Sequence, residues 1–252
     1  MLTTVLFDMG GTLEDIWYTP ETRTAAITRA REILQEHGIF AGEAFEDFRS
    51  SFESGYRDYK TWADAHDREL KPEEIWPDWY LRDFPEAKGL SSELAEELAN
   101  MWEYTLFHRE LREGAAGMLR ALKARGWRLG VISNNSSLYN VFNVLENCGI
   151  RDLMEDVTVS SVTGYRKPHP EIFRISLRQM RVSASECVYV GDTPTKDVGG
   201  AQAMGFGATV LISSFLTAQR EPDRTGLPVP DLEIQKLSEL PDRLEALRAQ
   251  SA

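Results

Sequence analysis

Short apolar runs alternate along the chain with amphipathic segments of helical period. The runs are rich in β-branched residues, and they lie at Thr4–Phe7, Arg128–Ile132, Val157–Ser160, Val188–Val190 and Ala208–Ile212, with a weaker one at Leu232–Ile234. Helical periodicity predicts helices at Ala115–Arg125, Leu138–Asn147, Pro170–Met180 and Val198–Met204. This alternation predicts parallel strands joined by crossover helices, and therefore an α/β, Rossmann-like, doubly wound parallel sheet.

The interval from Trp17 to His108 departs from this alternation, because it is rich in helix formers and aromatic residues. Thr19 as N-cap and Pro20 at the first helical position predict a helix start, and Gly38 predicts its end. Further helices are predicted at Glu43–Tyr59, Pro72–Arg82 and Ser92–Phe107. We therefore expect an all-helical cap domain at residues 17–108, inserted into a catalytic core made of residues 1–16 and 109–252.

Composition and charge narrow the class of protein. The chain has 252 residues, of which 42% are hydrophobic and 27% charged, as in ordinary globular proteins. Cys148 and Cys187 lie in mainly apolar runs, so we expect reduced thiols in a cytoplasmic protein. The apolar N-terminal run is too short for a signal peptide, and no stretch approaches the ~20 apolar residues of a membrane span. A net charge of −12 disfavours a nucleic-acid partner; both a monomer and a homodimer stay open.

A carboxylate directly follows the first predicted strand. Asp8 precedes Gly10 and Gly11, which leave backbone N–H groups free to face an anion. Because the sheet fixes its position, Asp8 could attack phosphorus as a covalent nucleophile. The alternative interpretation is a tight glycine turn that Asp8 caps.

Polar residues also lie after three other predicted strands, either close to the end of the strand or in the loop that follows it. They are Ser133, Asn134, Lys167, Asp192 and Asp197. Ligands in open α/β sheets bind outside the carboxyl ends of the strands, where these side chains are expected to converge. The hydroxyl and the ammonium suit a phosphoryl group, and the two carboxylates suit Mg²⁺. Taken singly, each residue is equally typical of a turn, a solvated loop or a helix cap.

The order and spacing of these motifs resemble the four motifs of the haloacid dehalogenase-like superfamily, and the helical insert resembles the cap of its dehalogenase/phosphoglycolate phosphatase-like branch. The resemblance implies a hydrolase, specifically a phosphatase that acts on a small phosphorylated metabolite through an aspartyl-phosphate at Asp8, with Lys167 as a second catalytic residue. It also implies that Asp8, Asp192 and the carbonyl of Gly10 bind Mg²⁺, with Asp197 in support. The expected substrate-binding residues are Gly10, Gly11, Ser133, Asn134 and Lys167.

One position departs from the family pattern. Phosphatases of this superfamily usually carry a second aspartate two residues after the nucleophile, where it protonates the leaving group and then activates water; here that residue is Gly10. Loss of a general acid typically costs ~10²–10⁴-fold in rate. We therefore expect slow hydrolysis of alkyl phosphates unless Glu14, Asp15 or His108 replaces the missing group.

Three alternatives are compatible with the missing acid. A 2-haloacid dehalogenase-like enzyme needs no metal and would leave Asp192 and Asp197 idle. A phosphonatase-like enzyme uses a cap lysine as a Schiff base, but the segment His37–Phe48, where that lysine is expected, contains none; Lys60, Lys71 and Lys88 are the lysines that the cap offers. The third alternative is a catalytically impaired phosphate-binding scaffold.

The cap is also rich in aromatic residues, most of which we expect to pack its interior. Trp17 and Tyr18, close to the junction with the core, are the residues predicted to line a substrate pocket.

Overall fold

The computed structural model describes residues 1–39, 44–215, 217, 221, 223 and 225–250. The strands of this part of the chain are β1 (Thr4–Phe7), β2 (Glu14–Trp17), β3 (His108–Leu111), β4 (Arg128–Ser133), β5 (Asp156–Val159), β6 (Cys187–Gly191), β7 (Ala208–Ile212) and β8 (Leu232–Ile234). Six of them form one parallel sheet in the order β5-β4-β1-β6-β7-β8. The predicted α/β parallel sheet is confirmed.

The helices fall into two groups along the chain. Those of the insert are α1 (Pro20–Glu36), α2 (Phe45–His66), α3 (Pro72–Ile75) and α4 (Ser92–Leu106). Those that cover the sheet are α5 (Ala115–Ala124), α6 (Asn140–Asn147), α7 (Ser160–Thr163), α8 (Pro170–Met180), α9 (Gly200–Ala203) and α10 (Leu240–Gln250). Single 3₁₀ turns occur at Pro85–Ala87, Arg151–Leu153, Ala184–Glu186 and Leu237–Glu239.

Both faces of the sheet are buried. Val5 and Phe7 of β1 belong to one apolar cluster, and Leu6 between them belongs to a second cluster on the opposite face. Successive side chains of a strand point to opposite faces, so a strand covered on both sides must be apolar throughout. This explains why the sequence marks the sheet strands as continuous apolar runs.

The helical insert has an apolar core of its own. Phe52, Tyr80 and Trp102 pack ring against ring at its centre, with centroids 5.3 Å (Phe52–Tyr80) and 5.0 Å (Phe52–Trp102) apart. Its first helix starts as predicted, because the Thr19 hydroxyl accepts from Thr22 N and Pro20 occupies the first turn. Most aromatic residues of the insert therefore serve its packing.

A short antiparallel ribbon joins the insert to the sheet. Strands β2 and β3 pair with Glu14 opposite Leu111 and Trp17 opposite His108. Both proposed domain boundaries, at 16/17 and at 108/109, fall inside this ribbon. The division into a core of 1–16 and 109–252 and a cap of 17–108 stays a prediction, with the ribbon as the natural junction.

Several element boundaries differ from the sequence prediction. Helix α2 continues to His66 instead of ending at Tyr59, because Tyr59 and Ala63 are both buried on its inner face; Glu43, its predicted start, lies outside the described residues. The predicted helices Pro72–Arg82 and Val198–Met204 each include or adjoin a π-helical turn, at Trp76–Tyr80 and Pro194–Gly199.

Helix α6 begins at Asn140 and not at Leu138. The backbone N–H groups of Leu138 and Tyr139 donate to the Glu96 carboxylate of α4, at 2.8 and 3.2 Å. A tertiary contact therefore holds these two residues outside the helix.

Cys148 and Cys187 are both free thiols. No helix in the described part of the chain combines the length and apolar character needed to cross a bilayer.

Candidate active site

The carboxyl ends of the central strands bring the predicted motifs together. Asp8 follows β1, which pairs with β4 on one side and β6 on the other, and Asp8 N donates to Val190 O at 2.9 Å. A cavity of about 550 Å³ opens at this edge. Seven of the predicted site residues line it: Asp8, Gly10, Ser133, Asn134, Lys167, Asp192 and Asp197.

Lys167 lies at the centre of the site. Its Nζ donates to Asp8 Oδ1 at 2.6 Å, to Asp197 Oδ1 at 2.7 Å and to the Tyr189 hydroxyl at 3.0 Å. Burial opposes the charged form, but the two carboxylates outweigh burial and hold the pKa of Lys167 well above its usual range. The side chain is therefore an ammonium whose three donors are all engaged.

Asn134 positions Lys167. Its Oδ1 accepts from Lys167 N at 2.8 Å, and its Nδ2 donates to Lys167 O at 3.1 Å. These two hydrogen bonds use one donor and the acceptor of the Asn134 side-chain amide. The contacts therefore support a role for Asn134 in positioning the loop that carries Lys167. The Ser133 hydroxyl, in contrast, faces the cavity and has no hydrogen-bond partner within the described chain.

Three buried carboxylates surround the ammonium. Oxygens of Asp8, Asp192 and Asp197 lie within 4.8 Å of one another. Burial, together with the charges of Asp197 and Asp192, raises the pKa of Asp8 to about 7, although Lys167 opposes this shift. Lys167 makes ion pairs with two of these three carboxylates, those of Asp8 and Asp197. Hard carboxylate oxygens in such a cluster fit a divalent cation such as Mg²⁺, which would also lower the pKa of Asp8.

Asp192 is oriented by three hydroxyl groups, and the sequence predicts none of these contacts. Thr193 Oγ1 donates to its Oδ1 at 3.0 Å, Thr217 Oγ1 approaches its Oδ2 at 3.1 Å, and Ser214 Oγ also bonds to Oδ2. Ser214 and Thr217 follow β7, more than twenty residues after Asp192, in a stretch that reads as an ordinary polar loop. Proximity in the fold is the only signal that connects them to the site.

Gly11 serves this arrangement by lacking a side chain. Its φ is +92°, and a Cβ atom would lie 2.2 Å from Asp192 Oδ2. Gly11 does not line the cavity, so the prediction that it binds substrate has no support from its position. Its observed role is to let Asp192 approach the turn after β1.

None of the three candidate replacements for the missing acid lines the cavity. Glu14 is buried and paired with Arg109 at 3.1 Å. Asp15 is paired with Arg112 at 2.8 Å, and its side chain is half exposed. His108 is exposed and stacks on a neighbouring indole ring. Their placement gives no support for a role in proton transfer to a substrate beside Asp8.

The insert supplies the opposite wall of the cavity. Tyr56, Lys60 and Asp64 of α2 line it, together with Phe107. Trp17 and Tyr18, the predicted pocket aromatics, do not: Trp17 stacks on His108, with centroids 5.3 Å apart, and Tyr18 packs edge-on against Phe107 at 5.8 Å. The helical period of α2 gives no sign of which of its polar residues face the core.

Ion pairs connect this side of the insert to the core. Arg166, which immediately precedes Lys167, bonds to the buried Glu69 carboxylate and lies 3.4 Å from Asp64. Lys196 Nζ also reaches Asp64 Oδ1, at 2.8 Å. The core side of these contacts comes from Arg166 and Lys196, which are adjacent in sequence to the motif residues Lys167 and Asp197.

Comparison with known proteins agrees with these features. The chain is 30% identical to the ribulose-1,5-bisphosphate 5-phosphatase of Halopiger xanaduensis, over 96% of this chain and 99% of that protein. It is 35% identical to the glyceraldehyde 3-phosphate phosphatase of Methanocaldococcus jannaschii, over 52% of this chain and only 54% of that relative's length. The 2-haloacid dehalogenase from Pseudomonas syringae pv. Tomato DC3000 shares the fold, with a TM-score of 0.66, 24% identity and full coverage of both chains.

The family model for haloacid dehalogenase-like hydrolases matches residues 2–205, which is most of the chain. The parallel sheet, the inserted helices and the order of the motifs agree with this match. The chain therefore belongs to the haloacid dehalogenase-like hydrolases, and it is a hydrolase with phosphatases among its relatives.

Proposed function

We propose that the chain is a Mg²⁺-dependent phosphatase that acts on a small phosphorylated metabolite through an aspartyl-phosphate at Asp8. The observation that carries the proposal is the contact of Lys167 Nζ with both Asp8 and Asp197 inside a buried cluster of three carboxylates. The phosphatase names of several relatives agree with it.

The chain's own residues support two successive displacements at phosphorus. A carboxylate oxygen of Asp8 bonds to phosphorus while the bond from phosphorus to the ester oxygen breaks, and the leaving alkoxide takes a proton from a water molecule and departs as the alcohol. The hydroxide formed from that water then attacks phosphorus, the bond from phosphorus to the Asp8 oxygen breaks, and hydrogen phosphate and the Asp8 carboxylate are released. The Ser133 hydroxyl, which lines the cavity, would donate to a phosphoryl oxygen. The Lys167 ammonium, which contacts Asp8, would exchange one of its present hydrogen bonds for a second phosphoryl oxygen. Position 10 supplies no side chain for this proton transfer.

The proposed metal ligands are Asp8, Asp192 and the carbonyl of Gly10, with Asp197 in support. The convergence of oxygens of Asp8, Asp192 and Asp197 within 4.8 Å of one another is the observation in their favour. Mg²⁺ held there would supply electrostatic stabilisation of the phosphoryl oxygens.

The same convergence of carboxylates disfavours the metal-free dehalogenase. That chemistry uses Asp8 alone, and it gives the buried carboxylates of Asp192 and Asp197, whose oxygens converge with those of Asp8, no metal to bind. The phosphonatase-like reading is favoured by one observation, namely that Lys60 of the insert lines the cavity. We retain it as the second candidate.

A substrate screen tests the proposal. Purified protein is incubated with phosphate esters, acyl phosphates, phosphonates and 2-haloacids, each with Mg²⁺ and with a chelator, and Asp8→Asn is the matched control. We expect Mg²⁺-dependent phosphate release that the Asp8 variant lacks. Halide release with chelator would select the dehalogenase. Borohydride-trapped substrate on Lys60 would select the phosphonatase, and phosphate binding without turnover would select the scaffold.

A further inference from the structure

Lys60 differs from the other cations that line the cavity. Arg109, Arg166, Lys167 and Lys196 each make an ion pair with a carboxylate. The Lys60 ammonium instead lies 5.7 Å from the Tyr56 ring centroid and 5.9 Å from that of Tyr59. Within the described residues it has no carboxylate at ion-pair distance and no hydrogen bond.

The surroundings of Lys60 compensate its charge only weakly. Burial, with the positive charge of Arg166, lowers the pKa of Lys60, and the more distant carboxylates Glu69, Glu103 and Asp64 oppose this shift without overcoming it. The Glu69 carboxylate is already bonded to Arg166, Tyr59 and Ser160. A partly desolvated ammonium that faces a cavity is stabilised when an anion enters it.

Lys60 and the nucleophile line the same cavity from different parts of the fold, Lys60 from helix α2 of the insert and Asp8 from the end of β1. The charges that act most on Asp8 are those of Lys167, Asp197 and Asp192, all from the core. Those that act most on Lys60 come from Arg166 and from carboxylates of the insert. A cavity of about 550 Å³ is large enough for a small metabolite, and both Asp8 and Lys60 line it.

We propose that Lys60 is a specificity-determining residue that binds a second oxyanion of the substrate, distinct from the phosphoryl group that Asp8 attacks. The preferred substrates are then phosphomonoesters that also carry a carboxylate or a second phosphate. This inference rests on the proposed phosphatase function. The Lys60 ammonium, which lies over the rings of Tyr56 and Tyr59, donates to this anion.

Matched substrates test the proposal. In Mg²⁺, kcat/KM is measured on 3-phosphoglycerate and on glycerol 3-phosphate, which differ in having a carboxylate or a neutral hydroxymethyl group at the far end. Lys60→Met should lower kcat/KM on the first by ~10–100-fold, the usual worth of one hydrogen bond to a charged group. The loss should appear in KM with kcat little changed, because this contact exists in ground state and transition state alike.

Two further variants separate recognition from folding. Lys60→Arg keeps the charge and should retain most of the preference for the anionic substrate. Lys88→Met removes an exposed lysine of the insert and should behave as wild type. Equal losses on both substrates in Lys60→Met, or no loss on either, would overturn the proposal.

A binding measurement keeps the test independent of turnover. Calorimetry with Mg²⁺ should show wild type binding 3-phosphonopropionate more tightly than propylphosphonate, and Lys60→Met should abolish the difference. Propane-1,3-bisphosphonate then distinguishes a phosphate from a carboxylate as the preferred second anion. If no ester is hydrolysed but this difference holds, the phosphatase function fails while the role of Lys60 stands. If wild type shows no difference, the role of Lys60 fails whatever the activity.

Discussion

The side chain of Ile16 occupies the space that a side chain at Gly10 would enter. A Cβ atom at Gly10 would lie 2.7 Å from Ile16 Cδ1 and 3.7 Å from its Cγ1. The backbone of Gly10 is not in the left-handed region, so glycine is not required there by conformation. The obstacle to an aspartate at this position is therefore one terminal methyl group of a buried residue.

The first prediction is that the Gly10→Asp variant reaches its full gain in phosphatase activity only when it is combined with Ile16→Val. Valine removes the obstructing Cδ1 and costs ~0.5–1.5 kcal/mol of stability. The aspartate then supplies the proton-transfer group, and kcat on alkyl or sugar phosphates should rise by up to ~10²-fold. Acyl phosphates, whose leaving group needs little protonation, should gain less.

Phosphate release by the two single variants and the double variant checks this prediction. Ile16→Val alone should keep the wild-type rate on every ester. A double variant that is stable and binds Mg²⁺, yet shows unchanged rates, would mean that a general acid is not what this protein lacks.

The second prediction concerns the Tyr189 hydroxyl, which accepts from Lys167 Nζ at 3.0 Å and donates to Ile132 O at 3.2 Å. Tyr189→Phe leaves one buried ammonium donor without a partner, so the free energy of unfolding should fall by ~1–3 kcal/mol. Denaturant unfolding measures this loss. Tyr165→Phe, which removes a hydroxyl without such a contact in the same region, is the control; equal effects of the two would contradict the assigned role.

The third prediction concerns the nucleophile. Asp8→Asn keeps the size of the side chain but removes the attacking charge, so no aspartyl-phosphate should form. Beryllofluoride, a mimic of that adduct, should raise the Tm of wild-type protein in Mg²⁺ and leave the Tm of the variant unchanged. Equal protection of both proteins would refute covalent attachment at Asp8.

The parts of the fold that could be predicted from sequence are those that local pattern determines. Strands buried on both faces are apolar throughout, and parallel strands place their carboxyl ends at one edge, so Asp8, Ser133 and Asp192 could be expected to meet. The cap of α1 was predictable too, because Thr19 and Pro20 act within one turn.

The remaining features of the fold and of the site depend on contacts between residues that are far apart in sequence. Strands β2 and β3 have only four residues each, and the whole insert separates them in sequence. Neither strand can therefore be predicted from its own residues. The start of α6 is displaced by Glu96 of another helix, and Asn134 turned out to bond to the backbone of Lys167. Polar residues at the end of a strand indicate a site, but their partners follow only from the tertiary structure.

The last prediction concerns Glu69, which joins the insert to the core. Its buried carboxylate accepts hydrogen bonds from Arg166, Tyr59 and Ser160. Glu69→Gln leaves Arg166 buried with only the 3.4 Å contact to Asp64. Breaking one side of a buried ion pair typically costs ~3–5 kcal/mol. We expect a loss of about 3 kcal/mol in unfolding free energy at pH 7, and no measurable loss for the exposed control Glu86→Gln.

The size of this loss should depend on pH in a defined direction. Burial raises the pKa of Glu69, but the charges of Arg166 and Lys60 and the hydrogen bonds from Tyr59 and Ser160 outweigh burial, so the pKa lies below its ordinary value of 4.5. A carboxyl whose pKa is depressed in the folded state stabilises the fold above the unfolded pKa, and this contribution is lost as pH falls through the folded pKa. The difference in unfolding free energy between wild type and Glu69→Gln should therefore be constant from pH 7 to about pH 5.5 and shrink below about pH 4.5. Denaturant titrations at several pH values measure it. A difference that stays constant down to pH 3.5, or grows there, would show that Glu69 does not act through its charge.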